Sequence, residues 1–181
     1  QVTRLPEVTR KQTSFWPYVL LMLVWLGLDF ALKTWSLSNL STETMRPFIP
    51  GVLSLPLTFN EGAAWGLFSG STLPLSLFRI VVALVIIVYL VRSRPKPLVA
   101  WSLSLVSAVA LGNGLESLIR GKVTDMLYSH QLSAITQALT QSSFPIFNLA
   151  DVWVVAGVVL LFLASLKPQT RRDGTKEKLD T

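Results

Sequence analysis

"FPIFNLADVWVVAGVVLLFLASL", residues 144–166, decides the class of fold. Apart from its first few residues it is apolar, and its length is close to the ~20 residues that a helix needs to cross a bilayer. It nevertheless carries Asn148 and Asp151 near its start. On insertion scales an aspartate at the centre of a membrane helix costs roughly 2.5–3.5 kcal/mol. Because a purely structural helix would not bear this cost, Asp151 is a candidate functional residue.

Three further apolar blocks of similar length lie elsewhere in the chain. The 181 residues suggest one domain. Hydrophobic residues make up 51% and charged residues only 14%, whereas soluble domains have about 25% charged residues. The four blocks span residues 16–35, 73–91, 98–118 and 147–166. The sequence therefore predicts an all-α membrane protein with four transmembrane helices.

The basic residues are distributed unevenly, and this predicts an orientation in the membrane. Eleven of the sixteen lysines and arginines precede the first block, lie between the second and third blocks, or follow the fourth. They are Arg4, Arg10 and Lys11, then Arg92, Arg94 and Lys96, and finally Lys167, Arg171, Arg172, Lys176 and Lys178. By the positive-inside rule both termini are cytoplasmic, and segments 36–72 and 119–146 are external.

These assignments divide the chain into three parts. Residues 1–15 are expected to form a polar cytoplasmic N-terminus, 16–166 the membrane domain, and 167–181 a basic cytoplasmic tail. The formal net charge of +6 is interpreted as an orientation signal and an attraction to anionic membrane lipid. No nucleic-acid partner is expected.

The first external segment predicts a small β-sheet on the outer membrane surface. In residues 52–60, VLSLPLTFN, apolar and other residues alternate, which is typical of a strand with one apolar face. Pro56 indicates an edge strand, because proline cannot donate to the ladder. In the second external segment, Leu132, Ile135 and Leu139 recur at helical spacing. A short amphipathic helix on the membrane and a plain loop are both compatible with this pattern.

Several polar residues lie near the outer ends of the apolar blocks. Asp29 and Lys33 are four apart and share one helix face. One interpretation is a self-neutralising structural pair with Lys33 reaching to the interface, and the other is a functional pair. Asn60 to Gly66, NEGAAWG, contains small residues that permit close backbone approach.

The third apolar block carries a stripe of small residues. Ser104, Ala108, Gly112 and Glu116 follow one another at intervals of four. Such a stripe favours tight packing between membrane helices. Asn113, beside the stripe, is a candidate for an interhelical hydrogen bond.

Asp125 lies in the second external segment, where a lone aspartate is typically a solvated loop residue, but together with Asp151 it forms a candidate catalytic pair. A returning external loop could bring the two carboxyl groups together, and carboxylates a few ångströms apart share one proton. One member can then activate water as a general base while the other protonates a carbonyl as a general acid. The chain has no cysteine, which excludes disulfides and thiol catalysis. His130, the only histidine, is interpreted as a solvated loop residue, and no metal site or cofactor is predicted.

Four segments resemble the ordered motifs of signal peptidase II, the prolipoprotein signal peptidase. They are DFALK (29–33), FNEGAAWG (59–66), ALGNGLESLIRGKVTDM (110–126) and FPIFNLADVWVVAG (144–157). The resemblance covers roughly residues 20–165 and implies that Asp125 and Asp151 are the catalytic aspartates. It further implies that Asn60, Gly62, Asn113 and Asn148 position substrate or support the pair. It also matches Asp29 and Lys33 to a polar pair of the family, and the external sheet to a cradle for substrate.

The chain departs from the family pattern at three places. Glu116-Ser117 stands where the family usually has Asp-Arg, so that Glu116 keeps the charge and Arg120 is the candidate replacement for the arginine that contacts substrate. Trp65 replaces a phenylalanine, and residues 126–146 form a longer external segment than expected. These departures put substrate positioning in question and leave both aspartates in place.

The resemblance implies an aspartic intramembrane endopeptidase of the bacterial inner membrane. It would cleave diacylglyceryl-modified prolipoproteins just before the lipidated cysteine, as a monomer, with water as the nucleophile and no cofactor. Two alternatives remain open. A small proton- or ion-coupled transporter would place polar residues along the whole membrane depth, whereas here they gather on one side. A catalytically inactive relative that only binds lipoproteins is compatible with Glu116-Ser117.

Overall fold

The computed structural model describes residues 14–62 and 72–166, and its framework is a bundle of four long helices. They are α1 (Trp16–Asn39), α2 (Thr72–Ser93), α3 (Pro97–Arg120) and, last in the chain, α5 (Leu149–Leu166). Each is long and apolar enough to cross a membrane. The predicted all-α membrane fold with four helices is therefore confirmed. The expectations for the N-terminus, for Trp65 and for the tail lie largely or wholly outside the described residues.

Helix α3 is the centre of the bundle and packs against α1, α2 and α5. Of its apolar stretch 50% is buried inside the protein, against 17%, 17% and 11% for α1, α2 and α5. The small-residue stripe accounts for this, since Ser104 and Ala108 are buried. The buried serine hydroxyl donates to the carbonyl four residues earlier in its own helix, Ser104 Oγ to Ala100 O at 2.8 Å. The hydroxyl is thereby satisfied without a partner on another helix.

Two glycines set the closest helix contacts. A Cβ added at Gly114 of α3 would lie 2.9 Å from Ile80 Cγ1 of α2. A Cβ at Gly157 of α5 would lie 2.9 Å from Val106 Cγ2 of α3. Real Cβ atoms do not approach this closely, so any larger residue would push α2 or α5 away from α3.

The external segments form two small antiparallel sheets and a short helix. The strands are β1 (Arg46–Ile49), β2 (Leu53–Leu55), β3 (Thr58–Asn60), β4 (Val123–Asp125) and β5 (Tyr128–Ser129), and the helix is α4 (His130–Thr140). One sheet has the order β1-β2-β5, and the other pairs β3 with β4. Each sheet therefore combines strands from both external segments. Each strand is only two to four residues long.

The prediction of a single edge strand over 52–60 is wrong. The chain forms two strands in two different sheets, with Pro56 in the break between them. Strand β2 is the central strand of its sheet, which is possible because the proline lies outside it. The predicted apolar face is also only partly covered, since Ser54 is the buried residue of β2 while Leu53 and Leu55 are half-buried.

The amphipathic helix of the second external segment is confirmed as α4. Ser129 caps it by accepting a hydrogen bond from Leu132 N at 3.2 Å. Ile135 and Leu139, on its apolar face, are exposed. His130 is not a solvated loop residue: its Nε2 lies 2.9 Å from Ser54 Oγ, so it joins α4 to β2.

Candidate active site

Pairing between distant segments brings Asp125 and Asp151 to one end of the bundle. In the β3–β4 ladder Thr58 faces Asp125. The chain just before α5 runs alongside the residues that follow β4, and Leu127 N donates to Phe147 O at 2.8 Å while Phe147 N donates back at 3.0 Å. This bridge places the start of α5, and with it Asp151, beside the end of β4.

Asn148 joins the two aspartates directly. Its side-chain Nδ2 donates to Asp125 Oδ1 at 2.7 Å, and its backbone N donates to Asp151 Oδ2 at 2.9 Å. Its Oδ1 accepts from Asp151 N at 3.2 Å, so Asn148 also caps the first turn of α5. Asn148 is itself 1% exposed. One buried amide thus fixes the separation and orientation of both carboxyl groups.

Both carboxyl groups line one cavity of about 160 Å³, here called the aspartate cavity. Its lining also includes three residues that sequence analysis singled out and one that it did not. These are Asn60, Asn113 and Asn148, and Arg79 of α2. The volume accommodates a few water molecules, and the remaining lining is mainly the apolar chain before α5.

The burial of the two aspartates differs from expectation. Asp125, which resembles a solvated loop residue in the sequence, is only 3% exposed, because β4 is enclosed by β3 and the helix ends. Asp151, expected to be buried, is exposed at the cavity. Its position in the first turn of α5, at the end of the bundle, leaves its side chain uncovered by other helices.

Burial first, and the nearby charge of Asp151 second, raise the pKa of Asp125 from 3.8 to about 7. Hydrogen bonds from Asn148 and Asn60 act against this shift, because they favour the ionised form. Asp125 therefore changes its protonation state near neutral pH, which suits a group that donates and recovers a proton.

A second polar group, here called the Lys33 cluster, lies next to the aspartate cavity. Lys33 Nζ lies 2.6 Å from Asn113 Oδ1, 2.8 Å from Asp29 Oδ2 and 3.0 Å from Glu116 Oε2. Lys33 is only 4% exposed, so the interpretation that it extends to the interface is wrong. The contact with Glu116 is an ion pair without hydrogen-bond geometry, and Asn113 connects the cluster to the cavity.

Glu116 links the Lys33 cluster to β4. Its Oε1 accepts from Thr124 Oγ1 at 2.6 Å and from Thr124 N at 3.2 Å. Thr124 directly precedes Asp125 in the strand. Glu116 therefore helps to fix Asp125 without lining the aspartate cavity itself. A Cβ at Gly112 would lie 3.0 Å from Asp29 Oδ2, so glycine lets α1 and α3 approach closely enough for this cluster.

Arg120 does not lie at the aspartate cavity. It lines a separate groove between α1 and α3, and its Nη1 is 3.9 Å from Glu116 Oε1. Ser117, the residue after Glu116, accepts a hydrogen bond from Ser76 Oγ of α2 at 2.8 Å.

Sequence analysis missed Arg79, although a signal was present. It is the only charged residue in the apolar block 73–91, and a charged side chain within a membrane helix indicates a functional site by default. Its Nη2 donates to Gly62 O at 3.1 Å. Gly62 N in turn donates to Asn60 Oδ1 at 2.9 Å. Asn60 lines the aspartate cavity and Gly62 is hydrogen-bonded to Asn60, and Arg79 connects both to α2.

The chain is similar to known proteins over most of its length. The family described as signal peptidase (SPase) II matches residues 21–167. The chain is 46% identical to the lipoprotein signal peptidase of Deinococcus radiodurans over 93% of this chain and 88% of that protein. It is 34% identical to that of Clostridium acetobutylicum, over 86% and 97% of the two chains.

Solved structures of two bacterial membrane enzymes have the same fold. One has a TM-score of 0.72 at 23% identity and covers 91% of this chain and 93% of its own. The other has a TM-score of 0.71 at 25% identity and covers 84% and 94% of the two chains. With the family match over most of its length, the chain belongs to the signal peptidase II family of aspartic peptidases.

Proposed function

We propose that this peptidase removes signal peptides from diacylglyceryl-modified prolipoproteins, cutting immediately before the lipidated cysteine. Its family and the names of its relatives support this substrate class. The observation that carries the proposed mechanism is the hydrogen bonding of Asn148 to both Asp125 and Asp151 at one cavity. The two aspartates would act as a pair on a water molecule held there.

The unequal environments of the two carboxyl groups suggest their roles. Asp125, buried and with a pKa of about 7, is the general acid. Asp151, exposed to the cavity, is the general base. Asp151 takes a proton from water as the oxygen attacks the scissile carbonyl carbon, and Asp125 gives its proton to the carbonyl oxygen. On collapse, Asp151 passes its proton to the leaving amine nitrogen and Asp125 recovers one from the intermediate's hydroxyl.

The remaining polar residues support this chemistry. Asn148 holds the pair, and Asn60 and Asn113 line the same cavity, where their amides can bind the substrate backbone. Gly62 shapes the turn after β3. Glu116 fixes β4 through its hydrogen bond from Thr124. Lys33 pairs with Glu116 and with Asp29, and so holds Glu116 in place. Arg120, which lines the other groove, has no place in this mechanism.

In the membrane, we assign the aspartate cavity to the external side and both termini to the cytoplasm, with the chain acting as a monomer. The charge distribution along the sequence supports this orientation. The sheets and α4 lie at the same end of the bundle as the cavity, where they can hold a substrate near the lipid headgroups. The gathering of polar residues at that end favours a protease over a transporter, which needs polar groups throughout the bilayer.

Purified protein incubated with a diacylglyceryl-modified prolipoprotein tests the proposal. Wild type should release the signal peptide, and both Asp125→Asn and Asp151→Asn should lose at least roughly 10³-fold in kcat, since removing a member of a catalytic group has effects of this size. Glu43→Gln, which changes an exposed carboxylate near the start of the first external segment, is the control and should cleave normally.

Two results would contradict the proposal. Normal cleavage by both aspartate variants would refute the catalytic assignment. Absence of cleavage by wild type, together with proton flux in liposomes that depends on Asp151, would favour the transporter.

A further inference from the structure

Arg79 has a hydrogen-bond donor that no group of the described residues uses. Its Nη2 donates to Gly62 O at 3.1 Å, whereas its Nη1 is buried and has no partner among residues 14–62 and 72–166. Buried donors are nearly always paired, so an unpaired one requires an explanation. The explanation here is suggested by the location, because Arg79 lines the aspartate cavity.

The positive charge of Arg79 lies close enough to both aspartates to act on them electrostatically. Its guanidinium interacts electrostatically with Asp151 and with Asp125. Within the described part of the chain, however, it forms an ion pair with neither carboxylate. A salt bridge would have held the carboxylates ionised and closed the cavity. The guanidinium therefore lies near the two carboxyl groups, and its Nη1 has no partner among the described residues.

The guanidinium is held in place from several sides. A Cβ at Gly114 of α3 would lie 3.2 Å from Arg79 Cβ, so the glycine allows α2 to lie close to α3 at this level. One turn earlier on α2, Ser76 donates to Ser117 of α3 at 2.8 Å. With the Nη2 bond to Gly62, these contacts fix both the stem and the head of the side chain. Such preorganisation is what makes a donor effective in a transition state.

We propose that Arg79 Nη1 donates a hydrogen bond to the scissile carbonyl oxygen of the bound peptide. This inference rests on the proposed function, to which it adds a third group. A carbonyl oxygen has two lone pairs, so that one accepts the proton from Asp125 while the other accepts the bond from Arg79. The bond strengthens as negative charge develops on the oxygen. Arg79 therefore acts mainly on kcat and needs no change in protonation state.

Arg79→Lys and Arg79→Gln distinguish this role from two simpler ones, in which Arg79 only anchors Gly62 or only supplies a positive charge. Lysine keeps the charge and has its donors on a single nitrogen, which can satisfy Gly62, but it lacks the planar fork whose two separate nitrogens serve two acceptors. If Arg79 only anchors Gly62, or only supplies charge, lysine should suffice. If it binds the scissile carbonyl, both variants lose kcat. Arg92→Gln, an exposed arginine of the same helix, is the matched control.

The measurement is steady-state cleavage of the diacylglyceryl-prolipoprotein from pH 5.5 to 8.5, with Tm from tryptophan fluorescence for each variant. We expect kcat to fall roughly 10²-fold in Arg79→Gln, the effect of removing one oxyanion donor, and roughly 10-fold or more in Arg79→Lys. KM should match wild type in both variants, the pH profile of Arg79→Lys should also match because lysine keeps the charge, and Arg92→Gln should retain full activity. Should Arg79→Gln not fold, Arg79→Lys decides.

Three results would overturn the inference. They are wild-type kcat in Arg79→Lys, a loss confined to KM, and a loss in Arg79→Gln that is fully recovered at another pH. The last would mean that Arg79 acts only through the charge of the aspartates. Any of these, with wild type cleaving the substrate, refutes the role of Arg79 alone. Absence of cleavage by wild type refutes the proposed function instead.

Discussion

Asp125 makes the stability of the protein depend on pH, and Asp125→Asn should remove that dependence. Its pKa is about 7 in the folded chain, against 3.8 as its ordinary value. Between these values the folded chain keeps a proton that the unfolded chain has released. Stability is therefore greatest below about pH 4, falls as pH rises, and reaches its lower level above about pH 7.

The size of the effect follows from the shift in pKa. A shift of about 3 units corresponds to about 4 kcal/mol, at about 1.4 kcal/mol per unit. Asparagine is never ionised and keeps Oδ1, which can still accept the 2.7 Å bond from Asn148 Nδ2. Above pH 7 the variant should therefore be more stable by up to ~4 kcal/mol, or roughly 8–16 °C in Tm for a chain of this size. Near pH 4 the two proteins should be similar.

Thermal unfolding in detergent, followed by the fluorescence of the six tryptophans, measures this difference at half-unit steps from pH 4 to pH 8.5. Glu43→Gln serves as the control, because it removes an exposed carboxylate, and should follow wild type. The reasoning is refuted if wild type and Asp125→Asn show the same slope against pH. It is equally refuted if Asp125→Asn is the less stable protein at pH 8.

Three further substitutions test the framework around the site. Lys33→Met removes the cation that pairs with Asp29 and Glu116, which leaves the buried Asp29 carboxyl group without its ion pair, and should destabilise the protein by about 3–5 kcal/mol in thermal or denaturant unfolding. Gly157→Ala places a Cβ 2.9 Å from Val106 Cγ2. It should cost about 1–3 kcal/mol and lower kcat, since α5 carries the base. Asn148→Ala removes a bond that lowers the pKa of Asp125, so the alkaline limb of the pH–rate profile should move to higher pH.

The chain offers a matched control for the first two of these. Lys96→Met changes an exposed lysine and should leave stability unchanged. Gly27→Ala adds a methyl group where nothing lies within 4 Å, so it should be neutral or slightly stabilising, as alanine favours helices. For Asn148→Ala, an unchanged or acid-shifted alkaline limb would show that the amide does not act on the ionisation of Asp125.

The sequence by itself determined the four helices and pointed to Asp151. An apolar run of about 20 residues satisfies its own backbone hydrogen bonds as a helix and needs only lipid around it, so its conformation depends on nearby residues alone. The same local argument identifies Asp151 at the start of α5. The free-energy cost of placing a carboxylate among apolar residues can be judged from its neighbours in the sequence. This argument would also have identified Arg79 in the second block.

Only the tertiary structure decided which polar groups meet. The pairing of Thr58 with Asp125 buries an aspartate that looks solvated in the sequence, and it splits the predicted strand into two sheets. The joining of both carboxyl groups by Asn148 and the separation of Arg120 from them depend equally on residues far apart along the chain. A hydrogen bond or a desolvation effect is set by distance in space, and the packing of α3 with its glycines fixes those distances.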